Sequence, residues 1–382
     1  MSELNAVNRR VCHTNVLTQA LAISTVVLCV GFIVRLSCQR KVSLLLVRVQ
    51  DQANTDRLMR VIIEQREQIK DLSQSLKVLQ QRADDTPTIK YPKRASDDLT
   101  GVLIGTDDEC GNASSLDAVM LVHSAAGHFS RRERYRKAYT NGTLVNGQHK
   151  LKVVFLIGHV LDAQIQIDLE IENRKYGDTL IGVFLDTYQN LTLKAVMGYR
   201  WAAEYCGNTK LIIKMDDDVF FNVGKFFDTF WSEKTHSKRS IFCNVWEQAP
   251  VGRSGKWKVE KDIFANDTYH FPYCAGFFIV ITTDLLVPMY NAAKSIDFFW
   301  IDDVFMYGMV PDVLGGVTYW QIGQKSRKIT EKYKDYKQCR VKKGISGCSY
   351  WAVLTDGASQ FDVEHEELIK HEKTILKTSS AL

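Results

Sequence analysis

The sequence predicts an α/β domain with a largely parallel sheet, placed behind a transmembrane helix and a helical stem. Three observations predict this arrangement. An uncharged apolar segment lies near the N-terminus, a heptad pattern follows it, and from residue 116 short apolar runs alternate with segments of helical periodicity. Strands that alternate with helices are typical of crossover connections, which make neighbouring strands parallel.

The first element is segment 16–34, which carries no charge and is just long enough to span a bilayer as a helix. A cleaved signal peptide is the alternative, but the apolar run is long for one and no small-x-small cleavage site stands out. More basic residues follow the segment than precede it, which by charge alone would leave the C-terminal body in the cytosol. Large domains translocate in spite of such charge, so we expect residues 1–15 to be a cytosolic tail and the body to be lumenal.

Residues 35–115 are predicted to form a stem. Apolar residues within 58–79 alternate at spacings of four and three, which is the seam of a coiled coil over about three heptads. A dimerising stem and a solitary amphipathic helix both fit this short pattern. Residues 82–115 are polar and contain Pro87 and Pro92, so they form a linker to a domain at 116–382. The seam residues are Leu58, Ile62, Gln65, Ile69, Leu72, Leu76 and Leu79.

The α/β domain is predicted from its hydrophobic runs taken in order. Its first strand and helix, for example, are an apolar run followed by a charged segment with helical spacing. Ligands bind outside the carboxyl ends of the strands in such sheets, so the residues after each strand are the first candidates for a site. The predicted strands are 118–122, 152–157, 179–184 and 211–215, and the helices are 131–139, 165–176 and about 193–206.

Composition narrows the class of protein. The formal charge of +5 is spread along 382 residues, without a long basic patch interleaved with aromatic residues, so we expect no nucleic-acid partner. The six cysteines from Cys110 onward lack the spacing of a zinc site, and an even number fits disulfides in an oxidising compartment. Cys339 and Cys348 are close enough in sequence to close a loop. The cysteines are Cys110, Cys206, Cys243, Cys274, Cys339 and Cys348, and four N-glycosylation sequons occur at Asn112, Asn141, Asn190 and Asn266.

An acidic run, Asp216-Asp217-Asp218, follows the fourth predicted strand and precedes another apolar run. Charge runs are usually solvated surface, but this one is enclosed by apolar residues on both sides. In extended chain, Asp216 and Asp218 would project together while Asp217 turns aside. Two close carboxylates repel each other unless a cation lies between them, and oxygen ligands favour magnesium, manganese or calcium. The run therefore predicts a metal that bridges a diphosphate and neutralises a departing nucleotide.

A second acidic pair, Asp302-Asp303, lies between aromatic residues at 298–300 and Phe305. Such surroundings raise the proton affinity of a carboxylate, which makes it a competent general base for a hydroxyl group. The alternative is an acid that caps a helix beginning near Val304.

These segments resemble the β1,3-glycosyltransferases of glycosyltransferase family 31, over about residues 118 to 310. The stretch from Tyr176 to Lys194 is the most specific match. Arg134, Tyr135, Ala138 and Tyr139 replace the alanine, isoleucine, threonine and tryptophan that are usual in the family's first block. The matching segments are 132–139 (RERYRKAY against R-x-A-I-R-x-T-W), 155–158 (FLIG), 176–178 with 184–194 (YGD and FLDTYQNLTLK), 214–220 (KMDDDVF), 256–259 (KWKV), 272–276 (PYCAG) and 302–305 (DDVF).

On the donor side, the resemblance implies a GT-A (Rossmann-like) fold, a UDP-sugar co-substrate and a manganese ion. Asp218 would be the main metal ligand, with Asp216 beside it, and Asp216 and Asp217 would lie near the nucleotide. Arg132 and Arg136 match donor-side arginines. Members of the family commonly supply a C-terminal histidine to the metal, and none stands in register near residues 350–356 of this chain.

On the acceptor side, the resemblance implies inversion at the anomeric carbon with Asp303 as the catalytic base. Trp257, Tyr273, Gly276 and Asp302 match acceptor-side segments. The implied activity is transfer from UDP-galactose or a related UDP-sugar to glycoprotein, glycolipid or proteoglycan glycans, by a single-pass type II protein of the Golgi membrane.

The sequence leaves the donor sugar open. A β1,3-galactosyltransferase is the leading hypothesis, and transfer of N-acetylglucosamine or N-acetylgalactosamine is its nearest rival. A degenerate Golgi protein that binds glycans without catalysis is the alternative from another class; the missing histidine favours it, and the retained acidic residues oppose it.

Overall fold

The computed structural model describes residues 65, 99–106, 110, 116–139, 150–234, 237–355 and 357–379. By internal contacts, residues 91–160 and 164–382 form one compact unit, and residues 1–90 with 161–163 form another. The predicted transmembrane segment, and the predicted coiled coil apart from Gln65, lie outside the described residues. Within the described ranges, no helix is both long and apolar enough to cross a membrane.

The elements of the described part follow the predicted alternation of strands and helices. The strands are β1 (Val102–Ile104), β2 (Ala118–His123), β3 (Leu151–His159), β4 (Thr179–Leu185), β5 (Leu211–Asp216), β6 (Val219–Phe221), β7 (Ser240–Cys243), β8 (Val245–Trp246), β9 (Tyr273–Cys274), β10 (Phe278–Thr282), β11 (Thr318–Gln321), β12 (Ile329–Thr330) and β13 (Ala352–Leu354). The α-helices are α1 (Phe129–Tyr139), α2 (Ala163–Tyr176), α3 (Leu191–Tyr205), α4 (Val223–Lys234), α5 (Leu286–Ser295), α6 (Asp302–Val304), α7 (Val310–Leu314), α8 (Tyr333–Gly347) and α9 (Ala358–Ser379), with a π-helical turn at Phe305–Met309 between α6 and α7.

Eight strands form the main sheet in the order β1-β4-β3-β2-β5-β10-β7-β11. The four predicted strands are confirmed as β2 to β5, and they are mutually parallel at the centre of the sheet. The prediction of a largely parallel sheet holds only in part: β7 and β11 are also parallel, but β1 pairs antiparallel with β4, and β10 pairs antiparallel with both β5 and β7. Antiparallel pairs need no helical crossover, so alternation of helices and strands does not reveal them.

The central strands are buried on both faces, which explains their continuous apolar sequence. In β2, Val119 and Leu121 pack into one half of the core, while Ala118, Met120 and Val122 pack into the other. All five side chains are at most 1% exposed. His123 ends β2 on the same face as Val119 and Leu121, so the alternation of the strand brings a histidine to the edge of the core.

The six cysteines from Cys110 onward are all paired in disulfides. Cys339–Cys348 confirms the predicted loop closure and joins α8 to the residue that follows it. Cys110–Cys206 connects the segment before β2 with the end of α3. Cys243–Cys274 connects β7 with β9.

The carboxyl ends of the parallel strands meet at one edge of the sheet, and Asp186 holds this edge together. Its carboxylate lies after β4 and accepts hydrogen bonds from the backbone N–H of Ala126 (2.6 Å) and of Gly158 (3.3 Å). The ammonium of Lys194, on α3, lies 2.6 Å from it. A carboxylate with three donors fixes the ends of β3 and β4 and the loop after β2 in one place.

Candidate active site

The acidic run lies at this edge, where β5 turns into β6. Asp216 ends β5, and Asp217 and Asp218 form a turn; we call residues 216–219 the acidic turn. The extended geometry expected for the run is therefore wrong after Asp216, where the chain turns. The ammonium of Lys214 lies 2.8 Å from the Asp216 carboxylate, whereas Asp217 and Asp218 share the guanidinium of Arg131.

Asp217 is the structural member of the run. Its carboxylate is buried and accepts hydrogen bonds from the Ser124 hydroxyl at 2.7 Å and from Arg131 at 2.8 Å, and His128 Nδ1 lies 2.8 Å away. Burial by itself would raise the pKa of Asp217, but the hydrogen bonds from His128, Ser124 and Arg131 lower it below its ordinary value. A carboxylate with this many partners has little capacity left for a ligand.

Asp218 has the opposite environment. Burial and the neighbouring charges of Asp216 and Asp217 raise the pKa of its carboxyl, although Arg131 opposes them. Oδ2 lies 3.2 Å from Arg131, whereas Oδ1 is buried and has no hydrogen-bond partner. A buried oxygen without a partner is energetically costly, so this atom is arranged to meet a ligand.

A divalent cation fits this oxygen, although the protein supplies only part of its coordination. Among the described residues, no three His, Cys, Asp or Glu side chains cluster as a complete metal site. The unpartnered Asp218 Oδ1 and the partly exposed Asp216 are the hard oxygen ligands that magnesium and manganese take, often with phosphate oxygens completing the shell. Thr355, rather than a histidine, contacts the acidic turn from the C-terminal side.

Asp303 packs against Gly276, near the acidic turn. The backbone N–H of Gly276 donates to Asp303 Oδ2 at 2.9 Å. A Cβ atom at position 276 would lie 1.8 Å from Asp303 Oδ1, so only glycine leaves room for the carboxylate. Burial raises the pKa of Asp303 well above its ordinary value; repulsion by Asp302 adds to the rise, and Lys214 opposes it. This is the state expected of a general base.

Lys214 connects the two acidic clusters. Its buried ammonium lies 2.8 Å from Asp216 Oδ1 and 3.9 Å from Asp302 Oδ2, and it donates to the Gly276 carbonyl at 2.5 Å. Burial disfavours the charge, but the carboxylates of Asp216, Asp302 and Asp303 raise the pKa of Lys214, so it stays protonated. The two clusters predicted separately from sequence therefore belong to one site.

His123 is a member of this site that the sequence did not reveal. Its Nδ1 lies 3.9 Å from Asp302 Oδ2, and its Nε2 is buried without a partner. Burial, followed by the charges of Lys214 and Lys194, lowers the pKa of His123 well below its ordinary value, so the imidazole is neutral. Its position at the end of the first predicted strand, beside Asp216, was the available signal.

The arginines predicted on the donor side lie in the scaffold. Arg132 is fully buried and bonds both oxygens of Glu172, and Arg136 bonds Glu172 and Asp178. Their contact with the donor stays a prediction. Arg131 directly precedes segment 132–139, which resembles the family's first block, and its guanidinium contacts Asp217 and Asp218 of the acidic turn.

Two aromatic residues form an exposed surface on the acceptor side. Trp257 is 55% exposed, and its Nε1 donates to the Tyr188 hydroxyl at 2.6 Å. The Lys256 ammonium lies 4.0 Å from the centre of the Tyr188 ring. Tyr188 also contacts the edge of Trp300, which stands two residues before Asp302. This aromatic surface, Tyr188 with Trp257, therefore extends from the second acidic cluster.

The other residues predicted on the acceptor side are Tyr273 and Asp302. Burial, followed by the charges of Asp303 and Glu331, raises the pKa of Tyr273. Asp302 is 7% exposed and stands in the first turn of α6, next to Asp303 in the chain. The N-cap of α6 is Ile301 and makes no side-chain cap hydrogen bond, so the alternative of an acid that caps this helix is wrong.

Two of the four sequons fall within the described residues. Asn266 is exposed, whereas Asn190 is half-buried and its amide nitrogen donates to the Leu185 carbonyl. Asn112 and Asn141 lie outside the described residues. Glycosylation at all four stays a prediction.

By sequence, this chain is similar to known glycosyltransferases. The galactosyltransferase family model matches residues 130–317. The lactosylceramide 1,3-N-acetyl-beta-D-glucosaminyltransferase of Xenopus tropicalis is 29% identical over 66% of this chain and 65% of its own length. The beta-1,3-galactosyltransferase 5 of Homo sapiens is 29% identical over 49% of this chain and 60% of its own length. The match thus spans less than two thirds of either relative.

Among solved structures, a glycosyltransferase involved in glycosylation of the major capsid of PBCV-1 aligns over 67% of this chain and 98% of its own, with 12% identity and a TM-score of 0.36. A likeness of this size carries no argument, so the assignment rests on the sequence match. That match contains both acidic clusters, and residues 130–317 form a galactosyltransferase family domain of the glycosyltransferase family 31 type.

Proposed function

We propose that this protein is an inverting hexosyltransferase of the GT-A type, which transfers a sugar from a UDP-sugar to a glycan hydroxyl, with galactose as the first candidate. The observation that carries the proposal is the joining of two acidic clusters by Lys214, within 2.8 Å of Asp216 and 3.9 Å of Asp302. One cluster offers the unpartnered oxygen of Asp218, and the other offers Asp303. Inverting transfer needs these two functions on opposite sides of one sugar.

The donor side stabilises negative charge. A manganese ion held by Asp218 and Asp216 would neutralise the charge that develops on the departing nucleotide diphosphate. Asp217 fixes the direction of Arg131 through a 2.8 Å contact, so the guanidinium adds positive charge beside the same place. Lys214 holds Asp216 from within the core and prevents it from turning toward Asp303.

The acceptor side removes a proton. Oδ2 of Asp303 is occupied by the Gly276 N–H, which leaves Oδ1 to accept the proton of the attacking hydroxyl. The raised pKa of Asp303 makes the carboxylate a stronger base than an ordinary aspartate. The surface of Tyr188 and Trp257 offers exposed ring faces on which the apolar face of a sugar ring can stack.

The donor sugar and the location are proposed on the relatives and the sequence. One relative is named a galactosyltransferase and the other an N-acetylglucosaminyltransferase, so galactose and N-acetylglucosamine are both candidates. The apolar segment 16–34, the sequons and the six cysteines support a single-pass protein of the Golgi membrane with a lumenal body. Dimerisation through the stem stays a prediction.

A screen of donors against acceptors tests the proposal. The full chain is incubated with UDP-galactose, UDP-N-acetylglucosamine or UDP-N-acetylgalactosamine and a panel of glycan acceptors with Mn²⁺, and products are identified by mass spectrometry. We expect transfer from one of these donors, and none by the Asp303→Asn variant. UDP binding without transfer to any acceptor would instead favour the non-catalytic alternative.

A further inference from the structure

The hydroxyl of Tyr135 lies against the acidic turn. It is 2.7 Å from the carbonyl oxygen of Asp216 and 2.5 Å from that of Val219, and it accepts a hydrogen bond from the Val219 N–H at 3.0 Å. A tyrosine hydroxyl has one proton, so it donates to one carbonyl at a time while it accepts from the N–H. Both ends of the turn that carries Asp217 and Asp218 are therefore attached to one atom.

The ring of Tyr135 is fixed, so its hydroxyl cannot turn away. It is completely buried and stacks on Phe361 of α9, with ring centres 5.3 Å apart. Edge contacts from Tyr139 at 5.3 Å and Phe155 at 6.3 Å enclose the other sides. A close-packed ring of this kind transmits its position to the group that it carries.

Thr355 holds the turn from the opposite direction. Strand β13 pairs with β6, which brings Thr355 to Asp218. The carbonyl oxygen of Asp218 accepts from the Thr355 N–H at 2.9 Å and from its hydroxyl at 2.6 Å. The backbone of the residue with the unpartnered carboxylate oxygen thus has two donors of its own.

We propose that Tyr135 and Thr355 are positioning residues for donor binding, because together they fix the direction in which the Asp218 carboxylate faces the nucleotide diphosphate. This inference rests on the proposed function.

A pair of tyrosine variants in the full chain tests the proposal. Tyr135→Phe removes the hydroxyl that bonds the turn, and Tyr139→Phe removes the neighbouring hydroxyl, which accepts from the Phe221 N–H in β6 and does not touch the turn. UDP affinity with Mn²⁺ is measured by calorimetry, KM by kinetics and Tm by calorimetric melting. We expect Tyr135→Phe to weaken UDP binding and raise the donor KM about five- to tenfold, as loss of one buried hydrogen bond would do, with an unchanged acceptor KM.

The control variant Tyr139→Phe distinguishes a positioning role of Tyr135 from a general effect on the stability of the fold. Tyr139→Phe is expected to lower Tm to a similar extent while UDP affinity stays at the wild-type value. If the wild type binds UDP and Tyr135→Phe binds it equally well, or if both variants weaken it alike, the positioning role is overturned. If the wild type itself binds no UDP, the proposed function fails.

If Tyr135→Phe does not fold, the Thr355→Val variant can be used for the same test. It keeps the side-chain volume and the backbone N–H but removes the hydroxyl at the Asp218 carbonyl. Weaker UDP binding with an unchanged acceptor KM supports the proposal, and wild-type affinity overturns it.

Discussion

Substitution of Gly276 by alanine is a direct test of whether the position of the Asp303 carboxylate is essential for catalysis. The backbone at Gly276 has no positive φ, so glycine supplies only space there. The added Cβ would lie 1.8 Å from Asp303 Oδ1 and 2.6 Å from its Cγ, whereas ordinary contact begins at 3.4 Å. The carboxylate must therefore retreat by about 1.6 Å, the difference between 3.4 and 1.8 Å. A displacement of about 1 Å at a reacting group can reduce the rate about 100-fold.

We expect Gly276→Ala to lower kcat about 100-fold or more while UDP affinity stays within about twofold, because the donor carboxylates lie on other strands. Single-turnover kinetics on the full chain measure the chemical step, and calorimetry measures UDP binding. Gly207→Ala is the matched control, because its Cβ would meet nothing nearer than 3.9 Å. Wild-type kcat in Gly276→Ala would refute the role of Asp303, and an equal loss of UDP affinity would show that the whole site had collapsed.

Four further outcomes are expected. Because burial and Asp302 raise the pKa of Asp303 and the base acts when deprotonated, kcat should rise with pH through that raised pKa; a flat profile above about pH 5 would indicate an ordinary carboxyl. The protonated form stabilises the fold at low pH and this stability is lost as pH rises through the folded pKa, so Asp303→Asn should raise Tm at neutral pH. Trp257→Ala should raise the acceptor KM about tenfold with an unchanged donor KM, and equal effects on both would remove the acceptor assignment. Arg132→Met should cost about 3 kcal/mol in urea unfolding because it removes one of the two arginines that bond the buried carboxylate of Glu172, against less than about 1 kcal/mol for Arg200→Met at an exposed pair; equal losses would contradict the scaffold role.

The centre of the fold was predictable because its strands are buried on both faces. Such strands read as continuous apolar runs, and β2 to β5 were found with their ends correct to within about two residues. The antiparallel strands β1 and β10 were not predicted, since nothing in their local sequence states which strand they join. That information lies in contacts between distant segments, such as Phe278 with Met215.

The acidic clusters of the site were predictable from the sequence, but the basic residues that contact them were not. Enclosure by apolar residues distinguished Asp216–Asp218 and Asp302–Asp303 from solvated charge. Lys214, His123 and Arg131 were missed because a lone basic residue carries no pattern, and only the sheet brings them to the acids.

The extended geometry expected for residues 216–218 is wrong for a physical reason, because the chain turns at Asp217, whose carboxylate reaches Ser124 and Arg131. The donor-side place of Arg132 and Arg136 was implied by resemblance and stays a prediction; in the structure both are bound to carboxylates within the scaffold. A motif identifies which residues matter to a family without saying which atom each one contacts.

We expect the carboxylate of Asp218, with its unpartnered buried oxygen, to bind the donor through a divalent cation. The most direct measurement is a calorimetric titration of UDP into the wild-type chain and into Asp218→Asn, each with Mn²⁺ and with a chelator. The predicted result is UDP binding by the wild type that depends on Mn²⁺ and is absent from Asp218→Asn. Equal UDP affinity in both proteins, or none in the wild type under either condition, would contradict the claim.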